Sequence, residues 1–269
     1  MNRLFFIVYI SLFVACSAPQ KISAPATQSS LVPDGKLWSS LFQQKSAEYK
    51  ALCIQAYNIA RLRLDEALQQ PSAKPKAVIT DIDETFLDNS PYAVHRALRG
   101  KDYDGASWQE WADKGIADTL AGALDFFNYA SSKNVEVFYI TNRKEAERKG
   151  TLQNLQLYNF PFADETHLVL RQPQAASSKE QRRQMVAATH DIILLMGDNL
   201  ADFSPLFDDK KTTDQRSANV QALAAEFGKR FIVLPNANYG GWEEAIYGHN
   251  YNLTPSQKDS AIKNNLKGY

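Results

Sequence analysis

Ala77-Val-Ile-Thr-Asp-Ile-Asp-Glu-Thr-Phe-Leu-Asp-Asn89 is the stretch that decides how this chain reads. An apolar run leads into Asp81 and Asp83, one residue apart, and then into Thr85. A short buried strand that ends in Asp-x-Asp presents two carboxylates at one edge of a sheet, the edge where open α/β folds place ligands. Two carboxylates so close need a cation, a shared proton, or both. A carboxylate nucleophile beside a carboxylic acid, clamped by a divalent metal, is a chemistry that cleaves phosphate esters. In isolation the same residues would read as a turn or a helix cap.

Two further stretches remove that isolation. Val135-Glu-Val-Phe-Tyr-Ile-Thr-Asn-Arg143 is a second apolar run, and it ends in the hydroxyl of Thr141. Asp191-Ile-Ile-Leu-Leu-Met-Gly-Asp-Asn-Leu-Ala-Asp-Phe203 is a third, ending in Gly197-Asp198 with Asp202 four residues later. Three strand-like runs, in order, each end in a group able to hold phosphate or metal. The joint pattern points to a site where the single motifs do not.

Around these runs, helical and strand periodicity alternate. Residues 36–70 read as one or two helices, with Leu37, Leu41, Ala47, Leu52, Ala56, Ala60 and Leu64 at helical spacing and Pro71 as the stop. Residues 76–81 read as a buried strand. The aromatic-rich stretch 90–118 reads as an insertion over the site, a small cap bounded at about 86–118. Asp118-Thr119 is expected to cap a helix running to about Ser132. A strand at 135–141, a helix at 144–158, a short strand at 167–170 and a loop and helix carrying Lys179 follow. Then come a strand at 191–196, a helix near 216–228, a strand at 230–234 and a polar tail over 251–269. This alternation predicts an α/β fold, a doubly wound parallel sheet preceded by an N-terminal helical segment.

Composition narrows the function classes. The length of 269 residues suits one domain with an insertion, and 44% hydrophobic with 22% charged residues is ordinary for a globular chain. Thirty basic residues balance thirty acidic ones with no Lys/Arg block, which argues against a nucleic-acid partner. His95, His167, His190 and His249 are scattered, without the close pairs of a zinc site. No Gly-x-x-x-x-Gly-Lys-Ser/Thr loop is present, which argues against an NTPase of that type.

The amino terminus is of another kind. Arg3, the apolar run Leu4 to Val14, and Ala15-Cys16 read as a secretory signal over residues 1–15, too short to span a bilayer. A cysteine after a small residue resembles a bacterial lipoprotein processing site, which implies cleavage before Cys16 and lipidation of its thiol. An ordinary signal peptide with an incidental cysteine is the alternative. Residues 16–35, rich in Ser, Ala, Pro and Gln, read as a flexible tether. Cys53 is then the one remaining cysteine, so no intrachain disulfide is expected, and it reads as a buried small hydrophobe.

Asp81-Ile-Asp-Glu-Thr85 resembles the first motif of the haloacid dehalogenase superfamily, and Thr141, Lys179 and Asp198 fall where its second, third and fourth motifs stand. The longer signatures, Asp81 through Tyr92 and Ile193 through Phe203, resemble the class C nonspecific acid phosphatases, which are bacterial surface lipoproteins. The resemblance covers residues 36–250. It implies that Asp81 attacks phosphorus to form an aspartyl-phosphate, and that Asp83 protonates the leaving alkoxide and later deprotonates water. Asp83 must then arrive protonated, which fits an acidic optimum. Thr141 and the N–H of Asn142 would hold phosphoryl oxygens, and Lys179 would neutralise their charge. One Mg²⁺ per site would be held by Asp81, Asp198 and the backbone carbonyl of Asp83, with Asp202 orienting that shell. Arg143 would touch substrate or pair with an acid, and Glu84 would buttress the turn.

The implied substrates are small phosphomonoesters, 5′-nucleotides and related aromatic monophosphates among them. Tyr92, Trp108, Trp111, Tyr239 and Trp242 are candidates for stacking on a base; the alternative is that they are core or homodimer contacts. The expectation is a metal-dependent acid phosphatase or 5′-nucleotidase in the cell envelope, attached through its lipid to a bacterial outer membrane. A phosphotransferase using the same intermediate and a non-catalytic surface-binding lipoprotein are the alternatives.

Overall fold

The structure, a computed structural model, describes residues 30–269. The expected signal peptide, Cys16 and the tether as far as residue 29 lie outside the described residues. Two helices come first, α1 (Leu31–Lys45) and α2 (Ala47–Leu68). Ser46 divides them: its backbone is extended, and its hydroxyl accepts from the Tyr49 N–H at 3.0 Å, as an N-cap does. Helix α1 begins at Leu31, so the last five residues expected in the tether are helical. Tyr49, Cys53, Ala56, Tyr57, Ala60 and Leu64 recur every three or four residues on α2 and are all buried.

The chain continues through β1 (Lys76–Thr80), β2 (Leu87–Asp88), α3 (Ser90–Ala97), α4 (Gly105–Ala112) and β3 (Asp118–Thr119). Next come α5 (Ala123–Ser132), β4 (Glu136–Lys144), α6 (Arg148–Leu157), β5 (Leu168–Arg171), α7 (Glu180–Thr189) and β6 (Asp191–Gly197). The last elements are α8 (Thr213–Ala222), β7 (Phe231–Val233), α9 (Gly241–Ile246) and α10 (Pro255–Asn265). Strands β5-β4-β1-β6-β7 form one sheet, and every pairing in it is parallel. This is the expected α/β architecture.

Alternation along the strands serves two cores. Val78, Val137, Tyr139, Leu194 and Met196 face one side, where they meet α2 and α5; Ala77, Ile79, Phe138, Ile140 and Leu195 face the other, under α7. Each fully buried large side chain contributes about 1.5–3 kcal/mol, so two apolar layers hold the sheet without any disulfide. Cys53 is fully buried within the first of them.

The cap is built as an excursion between β1 and α5. Strand β2 pairs antiparallel with β3, Leu87 opposite Thr119, and the Leu120 N–H donates to the Phe86 carbonyl at 2.8 Å to close the loop. Asp118-Thr119 therefore lies in a strand and not at the helix start expected of it. Its carboxylate accepts from the Tyr158 hydroxyl at 2.7 Å, and α5 starts instead after Gly122 at φ 88°. The helix expected near 216–228 starts at Thr213, because Thr212 and Gln215 form a capping box. The polar tail contains α10, opened by a capping box of Thr254 and Gln257. Helix α10 buries no residue, so no apolar stripe announced it. Its contacts are polar: Ser30 Oγ to Asp259 at 3.0 Å, and Lys258 to Asp102 of the cap at 2.7 Å. Among the described residues no helix is long and apolar enough to cross a membrane.

Candidate active site

The sheet register brings the three motifs to one level. Thr80 of β1 pairs with Tyr139 of β4 and with Met196 of β6, so Asp81, Thr141 and Asp198 emerge side by side at the carboxyl edge. The Asp81 N–H donates to the Met196 carbonyl at 2.9 Å, which extends β1 one residue before it turns. The turn hangs on one carbonyl: the N–H groups of Thr85, Phe86 and Leu87 all donate to Ile82 O, at 3.3, 3.1 and 3.1 Å. Glu84 sits in the left-handed region at φ 54°, held there by the Asn89 N–H on its carboxylate at 2.8 Å and by the Tyr239 hydroxyl.

Carboxylate oxygens of Asp81, Asp198 and Asp202 lie within 4.8 Å of one another. The ammonium of Lys179, buried at 5% exposure, bonds Asp81 and lies 2.7 Å from Asp202. Lys179 is the residue just before α7, so the helix start aims it across the edge. Asp202 ends a short 3₁₀ turn over Leu200–Asp202 and accepts from the Asn199 N–H at 3.0 Å. Gly197 makes room for it, since a Cβ there would stand 2.4 Å from Asp202 Oδ2. Asp198 accepts from Asn236 Nδ2 at 2.7 Å and from the Thr85 hydroxyl at 3.3 Å.

The electrostatics call for a cation. Burial, working against Lys179 and helped by Asp202 and Asp83, pushes the Asp81 carboxyl up to about 7. Burial together with Asp202 and Asp81 lifts Asp198 well above the usual carboxylate range. Lys179 is held above its ordinary value even though burial opposes its charge, because Asp202 and Asp81 outweigh it. One ammonium against two buried carboxylates and the half-buried Asp198 leaves negative charge unbalanced. A set of hard oxygen donors fits a hard divalent cation.

Asp83 is placed differently. Its Oδ1 accepts from Arg143 Nη2 at 2.7 Å, Arg143 Nε at 3.1 Å and Asn89 Nδ2 at 2.9 Å, while its Oδ2 takes Arg143 Nε alone, at 3.1 Å. The Asp202 carboxylate, expected to orient the metal shell, lies with those of Asp81 and Asp198, while the Asp83 side chain turns to Arg143 and Asn89; the metal contact expected of Asp83 is its backbone carbonyl. Arg143 resolves as the partner of an acid; it is itself fixed by Thr151 Oγ1 at 3.0 Å. Thr141 is buried, its hydroxyl accepting from the Arg143 N–H at 3.1 Å. Arg182, one turn into α7 from Lys179, donates to the Thr141 carbonyl and to Asn142 Oδ1 at 2.7 Å. Arg183 donates to the Asp202 carbonyl at 2.8 Å and holds that turn from behind.

Comparison with known proteins agrees with this geometry. Residues 17–242 match the family model described as HAD superfamily, subfamily IIIB (acid phosphatase). The chain belongs to this family. The class C acid phosphatase of Bacillus anthracis is 39% identical, superposes with a TM-score of 0.84, and is matched over 88% of this chain and 99% of that one. A second structure of that enzyme, with tungstate bound, gives a TM-score of 0.85. Among curated proteins, acid phosphatase 1 of Solanum lycopersicum is 29% identical over 130 residues, which are 46% of this chain and 50% of that protein. The stem 28 kDa glycoprotein of Glycine max is 23% identical over 168 residues, 60% and 62% of the two chains. The chain thus spans half to three-fifths of the length of these plant relatives.

Within this acid phosphatase family member, the aromatic residues divide. Tyr92 is buried, its ring edge-on to Trp108 at 5.2 Å and its hydroxyl 3.0 Å from Ser107. Trp111 donates to Asn89 Oδ1 at 2.8 Å and packs on the main core. Tyr239 turns its hydroxyl inward to Glu84, and the Trp242 N–H donates to the Tyr239 carbonyl at 3.1 Å. The contacts of Tyr92, Trp111 and Tyr239 serve cap and site packing, whereas Trp242 stays exposed. Trp108, half-buried with Arg143 5.6 Å from its ring centre, and exposed Tyr103 6.2 Å from it keep open aromatic surface beside Asp83.

Sequence reasoning missed Asn89, Asn236 and the role of Arg182. Asn89 lay inside the quoted stretch, six residues after Asp83, and the Arg182-Arg183 pair followed Lys179. Nothing local marks Asn236, which enters from beyond β7.

Proposed function

We propose that this chain is a metal-dependent acid phosphomonoesterase that works through an aspartyl-phosphate. The clustering of the Asp81, Asp198 and Asp202 carboxylates, with the buried Lys179 ammonium between Asp81 and Asp202, carries the reading. A resident Mg²⁺ held by Asp81, Asp198 and the backbone carbonyl of Asp83, with Asp202 orienting that shell, would draw charge from the phosphoryl oxygens and keep Asp81 ionised. Asp81 Oδ attacks phosphorus, the P–O bond to the alkoxide breaks, and the aspartyl-phosphate bond forms. Asp83 gives its proton to the departing alkoxide oxygen. Oδ2, the oxygen of Asp83 with the fewest donors, is the one open to carry it. Water then attacks phosphorus, Asp83 takes its proton, and Asp81 is released with phosphate. Lys179, the Thr141 hydroxyl and the Asn142 N–H neutralise and hold the phosphoryl oxygens throughout.

Support for an oxyanion ligand comes from the B. anthracis relative, whose structure was solved with tungstate. Trp108 and Tyr103 offer a surface for an aromatic leaving group, so 5′-nucleotides and other aromatic monophosphates are the substrate class. The test is phosphate release from nucleoside monophosphates and p-nitrophenyl phosphate between pH 4 and 8, with and without chelator. Asp81→Asn is expected to abolish turnover in a folded protein; normal turnover would remove Asp81 as the nucleophile. For attachment to the cell envelope the support is the Ala15-Cys16 pattern alone. Cys16→Ser is expected to release soluble enzyme, and continued membrane attachment would point to another anchor.

A further inference from the structure

At the amino-terminal edge of the sheet, opposite the carboxylates, four side chains form a row. Glu136 opens β4, His167 directly precedes β5, and His190 directly follows α7. His167 Nδ1 lies 2.8 Å from Asp164 Oδ1, and its Nε2 lies 3.2 Å from Glu136 Oε2. His190 Nε2 approaches that same Oε2 at 3.3 Å, and its Nδ1 is 2.8 Å from the Thr189 hydroxyl. Phe138 stands 4.9 Å from each imidazole, and Phe162 is 4.8 Å from His167 on the other side.

Hydrogen-bond accounting gives this row its meaning. An ionised carboxylate only accepts, and a neutral imidazole has a single N–H. Neutral His167 can therefore satisfy Asp164 or Glu136, not both. Asp164 is committed as an acceptor. It also takes the backbone N–H groups of Thr166 and His167 at 2.9 and 3.0 Å. Burial opposes its charge, but the bonds from His167 prevail and hold its carboxyl below the usual range. Keeping both contacts takes a second proton on His167. His190 is under less demand, because its Nδ1 faces the Thr189 hydroxyl at 2.8 Å, which can accept from it or turn its one hydrogen toward it from the Val186 carbonyl at 3.3 Å. The other charges near the row are engaged elsewhere: Asp191 with Lys76 at 3.7 Å, Lys74 with the Ala187 carbonyl at 2.7 Å, and Arg148 with Glu145 and the Leu168 carbonyl.

We infer that Asp164, His167, Glu136 and His190 form a proton-operated clamp that fixes the carboxyl end of α7 and, through that helix, positions Lys179. Ten helical residues make a rod of about 15 Å, stiff enough to pass a constraint from His190 at one end to Lys179 at the other. Histidine is the side chain that ordinarily changes charge between pH 5 and 8. By the hydrogen-bond count both His167 contacts are complete only with that second proton, so the clamp is whole in acid and gives up one contact as pH rises. The reading deepens the function proposed above, which needs Lys179 in place.

The test compares the full chain with Glu136→Gln, Glu136→Ala and His167→Gln over pH 5 to 8, by melting temperature and by hydrogen exchange of the α7 amides. A glutamine amide both donates and accepts, so Glu136→Gln can meet neutral His167 without the second proton. The Tm gap between wild type and Glu136→Gln is expected to widen by about 2–4 °C toward pH 5. Exchange over residues 180–189 should slow in acid for wild type relative to every variant, and the KM for p-nitrophenyl phosphate should rise toward pH 8 more steeply in wild type. A Tm gap and exchange ratio that stay flat across the range would overturn the clamp, and Glu136→Gln with His167→Gln decide this even if Glu136→Ala does not fold. Absence of phosphatase activity would strike the functional reading alone, since exchange and melting do not depend on turnover.

Discussion

Gly197→Ala should damage this protein more than any other addition of a single methyl group at the site. The new Cβ would stand 2.4 Å from Asp202 Oδ2 and 2.5 Å from Asp202 Cβ, where real contacts stay beyond 3.0 Å. Gly197 closes β6, pinned by its backbone to β7, so Asp202 is the group that must withdraw. Withdrawal stretches the Lys179 contact, now 2.7 Å, and the Asn199 N–H bond, now 3.0 Å. Overpacking costs about 1–3 kcal/mol and weakened bonds to a charged group about 1.5–3 kcal/mol, so a loss of about 2–5 kcal/mol is expected. In a domain of this size that is a fall in Tm of about 5–15 °C. A carboxylate displaced by most of an ångström should also lower kcat for p-nitrophenyl phosphate about a hundredfold. Calorimetry and phosphate release measure both. Adding Asp202→Gly to Gly197→Ala should recover stability, because it removes the Asp202 Cβ as well as the carboxylate from the clash, while activity stays low, a coupling that a double-mutant cycle reads directly. A Gly197→Ala protein within about 2 °C and twofold of wild type would refute the steric reasoning and the role given to Asp202.

Two further outcomes follow from the same geometry. Asp83→Asn should slow release of poor leaving groups such as a nucleoside far more than p-nitrophenolate, and equal losses on both would argue against proton donation by Asp83. Burial, with Asp83 adding to it and donors from Tyr239 and Asn89 opposing, pushes Glu84 up to about 8 from an ordinary 4.5. The stability this proton carries is complete below pH 4.5 and is lost as pH rises through 8, with a slope of at most about 1.4 kcal/mol per pH unit. Glu84→Gln cannot titrate, so its Tm should fall less than that of wild type between pH 5 and 8; parallel curves would show that Glu84 enters the folded state ionised.

Much of the site was legible because its parts are strand endings. An apolar run marks a buried strand, and the polar residue that ends it must lie at the sheet edge; Asp81, Thr141 and Asp198 needed only that rule. Lys179 followed from its place after β5. Residues that act through packing were opaque. Asp202 sits four residues past Asp198, a spacing equally suited to a support or a ligand, and only the 3₁₀ turn over the bare face of Gly197 brings its carboxylate alongside Asp81. Tyr92 and Trp111 looked like open aromatic surfaces because a sequence does not say which ring a cap folds inward. Helix α10 was invisible for the opposite reason: it docks by ion pairs and caps, and no periodic apolar face betrays it.

The sequence by itself determined the alternation of strands and helices, the order in which polar groups meet the sheet edge, and the family to which the chain belongs. These are local properties, written in hydrophobic period and in residue types at fixed spacing. Tertiary structure decided which charges are neighbours: Arg143 with Asp83, Lys179 between Asp81 and Asp202, His167 between Asp164 and Glu136. Apart from His167 with its near neighbour Asp164, these pairings join residues 23 to 98 positions apart, and they depend on strand register and helix placement, which no short window of sequence contains.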